Sequence, residues 1–199
     1  MSIVGILLAA GRGSRFDPAG ARNKLLQALP SHAAAPGEAL CHTSVLEASA
    51  RNMLATLPRV VAVVRPADEE SAALLRKLGC EVGVCPQAAQ GMAASLVHGL
   101  QQAPQASGWL LALGDMPYVQ PSTMAALARA VAEGADIAAP IYQGRRGNPV
   151  AFGRRHLPLL LALKGDQGAR AIVKNFPVNE VAVEDPGILL DIDTPSDLL

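Results

Sequence analysis

The run Leu8-Ala9-Ala10-Gly11-Arg12-Gly13-Ser14-Arg15 has the makings of an anion cradle. It follows a short apolar stretch, and its small residues and glycines let backbone N–H groups approach a phosphate without side-chain interference. Arg15 closes the run, and Lys24 follows within Asn23-Lys24-Leu25-Leu26, adding two mobile cations of the kind a polyphosphate needs. The same letters also fit a bare tight turn with both cations in solvent. Two other phosphate motifs fail letter by letter: there is no G-x-x-x-x-G-K-[ST] run, and Phe16 stands where G-x-G-x-x-G needs its third glycine. After the second predicted strand, where NAD enzymes want Asp or Glu, stands Arg65, which could instead suit NADP, so the exclusion of a dinucleotide enzyme is partial.

Carboxylates supply the second half of a phosphate-handling site. Leu110-Leu111-Ala112-Leu113 leads into Gly114-Asp115-Met116-Pro117, which puts Asp115 just past the carboxyl end of a buried strand, the edge where open α/β sheets bind ligands. One carboxylate there suits Mg²⁺, which keeps several waters and takes one or two carboxylates plus substrate phosphates. Near the C-terminus, Leu189-Leu190-Asp191-Ile192-Asp193-Thr194-Pro195 repeats the pattern, and either Asp191 or Asp193 can supply a second ligand. Alternatively Asp193 or Thr194 caps a final short helix that has Pro195 at its first position.

Elements able to position these residues follow from the hydrophobic rhythm. Short apolar runs at Ile3 to Leu8, Val60 to Val64, Glu81 to Val84, Trp109 to Leu113 and Asp136 to Ala139 read as strands. Between them lie helical stretches near Thr43 to Leu54, Ala67 to Leu78, Met92 to Gln102 and Ser122 to Glu133. This alternation predicts an α/β fold, a mostly parallel sheet with helices on both faces. Gly144 to Pro149 reads as a turn or binding loop before an edge strand, Val150 to Phe152, and two short helices follow, one at Asp166 to Lys174. Val178 to Val183 and Ile188 to Ile192 read as closing strands, and Ser31 to Leu40, rich in Ala and Pro, as an insertion.

Composition narrows the function classes. With 199 residues, half of them apolar, the chain suits a single domain over 1–199. Seventeen basic residues balance seventeen acidic ones, and aromatics make up 3%, which speaks against a nucleic-acid surface. Cys41, Cys80 and Cys85 lack C-x-x-C spacing and read as reduced, mostly buried thiols, while His32, His42, His98 and His156 read as surface or satisfied structural positions. No run is long enough to span a bilayer and no basic leader precedes Ile3, so the expected location is the cytoplasm.

Taken in chain order, the loop from Leu8 to Arg15, Lys24, Gly114-Asp115-Met116-Pro117, Arg146-Gly147-Asn148-Pro149-Val150 and Asp191-Ile192-Asp193-Thr194-Pro195 resemble the molybdenum cofactor nucleotidyltransferases. The likeness spans nearly the whole chain. It is nearer the cytidylyl than the guanylyl branch, whose loop usually has glycine where this chain has Ala10. The resemblance implies a Rossmann-like sheet of the nucleotide-diphospho-sugar transferase type, mostly parallel with one antiparallel strand. It also implies roles: Leu8, Ala9, Ala10, Gly11, Arg12, Gly13, Ser14, Arg15 and Lys24 on a nucleoside triphosphate, Asp115 and Asp193 on Mg²⁺, and Ser95, within Gln90-Gly91-Met92-Ala93-Ala94-Ser95-Leu96, near base or ribose. Arg146, Gly147 and Asn148 would face the acceptor, with Arg15, Lys24 and Asp115 carrying the chemistry.

Implied substrates are CTP and a molybdopterin-type acceptor, with transient contact to a molybdoenzyme or its chaperone. Two departures stand out: Asn148 where the family often has histidine, and a longer segment from Pro30 to His42. The competing readings are a guanylyltransferase or another small-phosphate nucleotidyltransferase, a non-catalytic nucleotide-binding cofactor chaperone, and an NADP oxidoreductase, which Phe16 disfavours.

Overall fold

Short runs rich in β-branched and aliphatic residues pack well as buried strands, and Ile3–Ala9 (β1) and Val60–Val64 (β2) do so, nearly every residue being buried. They pair in parallel with each other, and with Glu81–Val84 (β3) and Gly108–Leu113 (β4) on the outer sides. This computed structural model describes residues 2–30, 43–166 and 168–198, so the predicted insertion at Ser31 to Leu40, with Cys41, His32 and His42, lies outside the described residues. Ile137–Tyr142 (β5), Arg145–Arg146 (β6), Val150–Gly153 (β7) and Asn179–Ala182 (β8) complete an eight-stranded sheet. Its order is β3-β2-β1-β4-β7-β5-β6, with β8 parallel to β5.

The helices start and stop where local chemistry permits. Val45–Leu54 (α1) begins at Ser44, whose hydroxyl accepts the Glu47 N–H, and Glu69–Leu78 (α2) begins at Asp68, which accepts from Ser71 and so satisfies otherwise orphaned donors. Gly79, at φ 102°, ends α2 in the left-handed region that glycine adopts without Cβ strain. Met92–Gln101 (α3), Pro121–Ala132 (α4), Leu157–Leu161 (α5) and Arg170–Asn175 (α6) follow.

Alternation along the strands divides the core in two. Ile3, Leu7 and Ala9 of β1 meet α1, α2 and α4 on one face, while Val4 and Ile6 meet α3, α5 and α6 on the other. The expected mostly parallel sheet with helices on both faces is therefore what the chain forms.

Two expectations are corrected. Val150 to Phe152 is no edge strand: β7 runs antiparallel between β4 and β5, with Phe152 opposite both Trp109 and Ile137. Pro149 precedes the strand rather than interrupting it, so every donor of β7 stays available for two neighbours. Ile188 to Ile192 is not a strand. Asp185 accepts the Gly187 N–H at 3.0 Å and Pro186 opens a 3-10 turn over Pro186–Leu189, which diverts the apolar run before it can pair.

The chain winds from β1 outward through β2 to β3 and then returns to lay β4 on the other flank of β1. Strand order reverses between β1 and β4, and the segments leaving their carboxyl ends must part there, opening a crevice. The glycine loop leaves one side of that crevice and Gly114-Asp115 the other.

Candidate functional site

Leu8 pairs with Leu113 across β1 and β4, and the Gly114 N–H donates to the Leu8 carbonyl at 2.9 Å, so the glycine loop and Asp115 start from one fixed point. Ala9 and Ala10 are buried beneath the loop, while Gly11, Arg12, Ser14 and Arg15 stand in solvent. Gly13 sits at φ 63°, where a side chain would be strained, and its carbonyl accepts the N–H groups of Phe16 and Asp17. Buried Phe16 anchors the return, capped by the Arg22 guanidinium 5.4 Å from its ring centre. The N–H groups of Gly11, Arg12, Gly13, Ser14 and Arg15 make no hydrogen bond to any described residue. A row of free donors at a strand end is what an anion needs.

Lys24 is held by its neighbour. The Asn23 side chain accepts the Leu25 N–H at 3.1 Å and donates to Asp68 at 3.1 Å and Ser71 at 3.3 Å, tying this turn to the start of α2. Sequence reasoning missed this role of Asn23, whose signal was an Asn placed directly before a short helical run. From that anchor the Lys24 side chain, 10% exposed, puts Nζ 2.6 Å from Asp115 Oδ2 and 3.2 Å from Asp193 Oδ1. Arg15 reaches Asp193 Oδ2 at 2.6 Å with its own side chain 75% exposed.

Backbone pairing brings the two acids together. The Ile192 N–H donates to the Asp115 carbonyl at 2.9 Å, and Asp197 Oδ2 accepts the N–H groups of Asp193 and Thr194 at 2.9 and 2.6 Å. The short turn Pro195–Leu198 is thus organised by Asp197, leaving the Asp193 carboxylate to the cations. Asp191 lies close behind; burial pushes its carboxyl above the ordinary range, and the charges of Asp193 and Asp115 push it the same way.

Asp115 Oδ1 is buried and has no hydrogen-bond partner among the described residues. An orphaned carboxylate oxygen beside a second carboxylate is hard-donor chemistry that fits a divalent cation. Among the described residues no three His, Cys, Asp or Glu side chains converge to hold a metal unaided, so an ion here would draw most of its ligands from substrate and water.

Next to this charged junction opens a cleft of about 910 Å³. Leu8, Leu96, Leu111 and Val150 give it an apolar floor, Arg146, Gly147 and Asn148 form one wall, and α6 forms another. Gly147 is held so tightly that a Cβ there would lie 2.3 Å from the Ile188 carbonyl oxygen, and the Asn148 N–H donates to that same carbonyl at 3.0 Å. Arg146 is engaged by Glu180 at 2.5 Å. Ser95 is buried in the first turn of α3, next to this cleft and not on its surface. Arg65 bonds to the Gly11 carbonyl at 3.2 Å and so buttresses the loop. His156 corrects an expectation: it is buried between Phe152 and Phe176, yet its Nδ1 has no hydrogen-bond partner among the described residues, and burial lowers its pKa.

Known proteins share this arrangement of elements. A family model described as the MobA-like NTP transferase domain matches residues 5–181. The crystal structure of Rv0371c from Mycobacterium tuberculosis H37Rv superposes with a TM-score of 0.80 at 30% identity, covering 99% of this chain and 95% of that one. Its manganese complex gives 0.74 at 29%, covering 99% and 96%. A nucleotidyl transferase from Methanothermobacter thermautotroptrophicus gives 0.77 at 25%, covering 98% and 94%. The purine catabolism protein PucB of Bacillus subtilis strain 168 is 32% identical over 119 residues, a match that spans 57% of this chain and only 57% of PucB. Among the described residues no helix is long and apolar enough to cross a membrane.

Proposed function

Because the chain belongs to the MobA-like NTP transferase family and is a nucleotidyltransferase by that membership, we propose that it moves CMP from CTP to the phosphate of a molybdopterin-type acceptor, with Mg²⁺ and release of pyrophosphate. The observation that carries this reading is the junction of Lys24 with Asp115 and Asp193 at the switch point of the sheet, the Lys24 stem lying against Gly13 in a loop with five N–H groups that no described residue bonds. A manganese complex of the mycobacterial relative supports the use of a divalent ion. Ala10 supports the cytidylyl branch.

In this reading the loop from Leu8 to Arg15 binds the triphosphate through its backbone, and exposed Arg15 folds onto the outer phosphates. Asp115 and Asp193 would hold Mg²⁺, which would supply positive charge to neutralise the phosphates. Lys24 turns from the carboxylates towards the phosphates and stabilises the departing pyrophosphate. Ser95, buried in the first turn of α3, acts on base or ribose only indirectly, by positioning that helix. Arg146, Gly147 and Asn148 line the acceptor side. A phosphomonoester acceptor has its second pKa near 6, so it is already largely ionised at neutral pH and needs no general base. The residues therefore supply position and charge.

Pyrophosphate release, measured with each of the four triphosphates and with or without molybdopterin and Mg²⁺, tests the reading. Release with CTP only when molybdopterin and metal are both present is the expected result. Release with GTP instead moves the chain to the guanylyl branch, and bound nucleotide without any release makes it a nucleotide-binding cofactor chaperone.

A further inference from the structure

The cleft beside the charged junction contains cations that the family resemblance leaves unassigned. Arg170 and Lys174 stand one turn apart on α6, so their side chains share a face, and both line the cleft. Neither makes a hydrogen bond or ion pair with any described residue. Arg146, on the opposite wall, already has Glu180 as its counter-ion. The acid of the cleft, Asp166, lies beside Gly91 at the α3 end. Two uncompensated positive charges thus face an aliphatic floor of Leu8, Leu96, Leu111 and Val150. Such a lining suits a ligand with an anionic group at one end and a flat or apolar body at the other. A nucleobase alone carries no anionic group and would leave both cations without a counter-charge.

We propose that Arg170 and Lys174 form the anion grip for the acceptor substrate, a phosphomonoester carried on an apolar or flat-ringed body, and that this pair, more than Arg146, decides which acceptor is used. The proposal rests on the transferase reading for the ligand's role, though the binding site itself does not.

Pyridoxal 5′-phosphate is a suitable probe, being a flat-ringed phosphomonoester whose aldehyde condenses with a lysine amine, releasing water, to give an imine that borohydride then reduces to a stable amine. With peptide mapping, Lys174 is expected to be labelled on the order of tenfold faster than exposed Lys77, the scale of one charge-assisted contact. Arg170→Gln should bring Lys174 down to the Lys77 rate, Arg170→Lys should restore part of the difference, and saturating Mg·CTP should leave it unchanged. Equal labelling of Lys174 and Lys77, indifference to Arg170→Gln, or protection by Mg·CTP would each overturn the proposal, the last because the cleft would then hold nucleotide. If pyrophosphate release is found, Arg170→Gln with Lys174→Gln should raise the acceptor KM at least tenfold with kcat within about threefold. An unchanged KM would also overturn it. Failure of the transferase reading shows separately, as absent pyrophosphate release, and leaves the labelling result intact.

Discussion

Lys24→Ala is the most informative single perturbation, because Lys24 serves as the resident counter-ion of both acids. At an effective dielectric of about 20, each of its two contacts amounts to roughly 5–6 kcal/mol of gross attraction, most of it cancelled by desolvation. Truncating one partner of a buried pair costs about 3–5 kcal/mol, since the other charge is left without compensation. Asp115 and Asp193 keep 20% and 19% of their side-chain exposure, and Arg15 still serves Asp193, so the lower end applies, about 3 kcal/mol. For a domain of this size each kcal/mol moves Tm by about 2–4 °C, so calorimetry without metal should show a fall of roughly 6–12 °C. The lost cation is replaceable. Divalent metal at about a hundred times its Kd adds about 2.7 kcal/mol and should recover most of the loss in the variant. In the wild type the same metal must compete with the ammonium and should raise Tm less. Turnover in the variant should stay on the order of a hundredfold down even at saturating metal, the scale for losing one transition-state charge partner. A Tm within about 2 °C of the wild type, or an equal metal response in both proteins, would refute the shared counter-ion.

If Asp115 binds the metal as proposed, Asp115→Ala should abolish metal-dependent turnover while circular dichroism remains that of the wild type; full activity would rule out the proposed metal role of Asp115. Gly147→Ala places a Cβ 2.3 Å from the Ile188 carbonyl oxygen, and the forced shift should cost about 1–3 kcal/mol in urea unfolding. An unchanged midpoint would show that the wall of the cleft gives way freely. His156 has a depressed folded-state pKa from burial, with Arg155 adding to the depression and Asp136 opposing it. The unfolded chain therefore binds the proton more readily, and the stability this residue contributes is full above about pH 6.5 and is lost as pH falls through the folded value. Chemical denaturation between pH 7.5 and 5 should show that loss, and His156→Phe should flatten it; an identical slope in the variant would assign the loss elsewhere.

Local letters were enough for the glycine loop, for β1 through β4, and for the helices that cover them, because hydrophobic period, caps and glycines act over a few residues. They also placed Asp115 at a strand end beside a sheet edge, where an acid finds ligands. Long-range geometry decided the rest. β7 lies inside the sheet because two distant strands need its donors, and no residue of Val150–Gly153 announces those neighbours. The apolar run after Pro186 looks like a strand until the buried Asp185 carboxylate caps it. Asn148 and Arg170 share a wall-to-wall cleft only because α6 folds back over the carboxyl edge of β4. Lys24 could be named as a cation from its letter, but its two acids lie 91 and 169 positions away along the chain. Over such separations only packing can bring one ammonium within hydrogen-bond distance of both, since an ion pair is set by position in space and sequence pattern encodes no more than which charges are available.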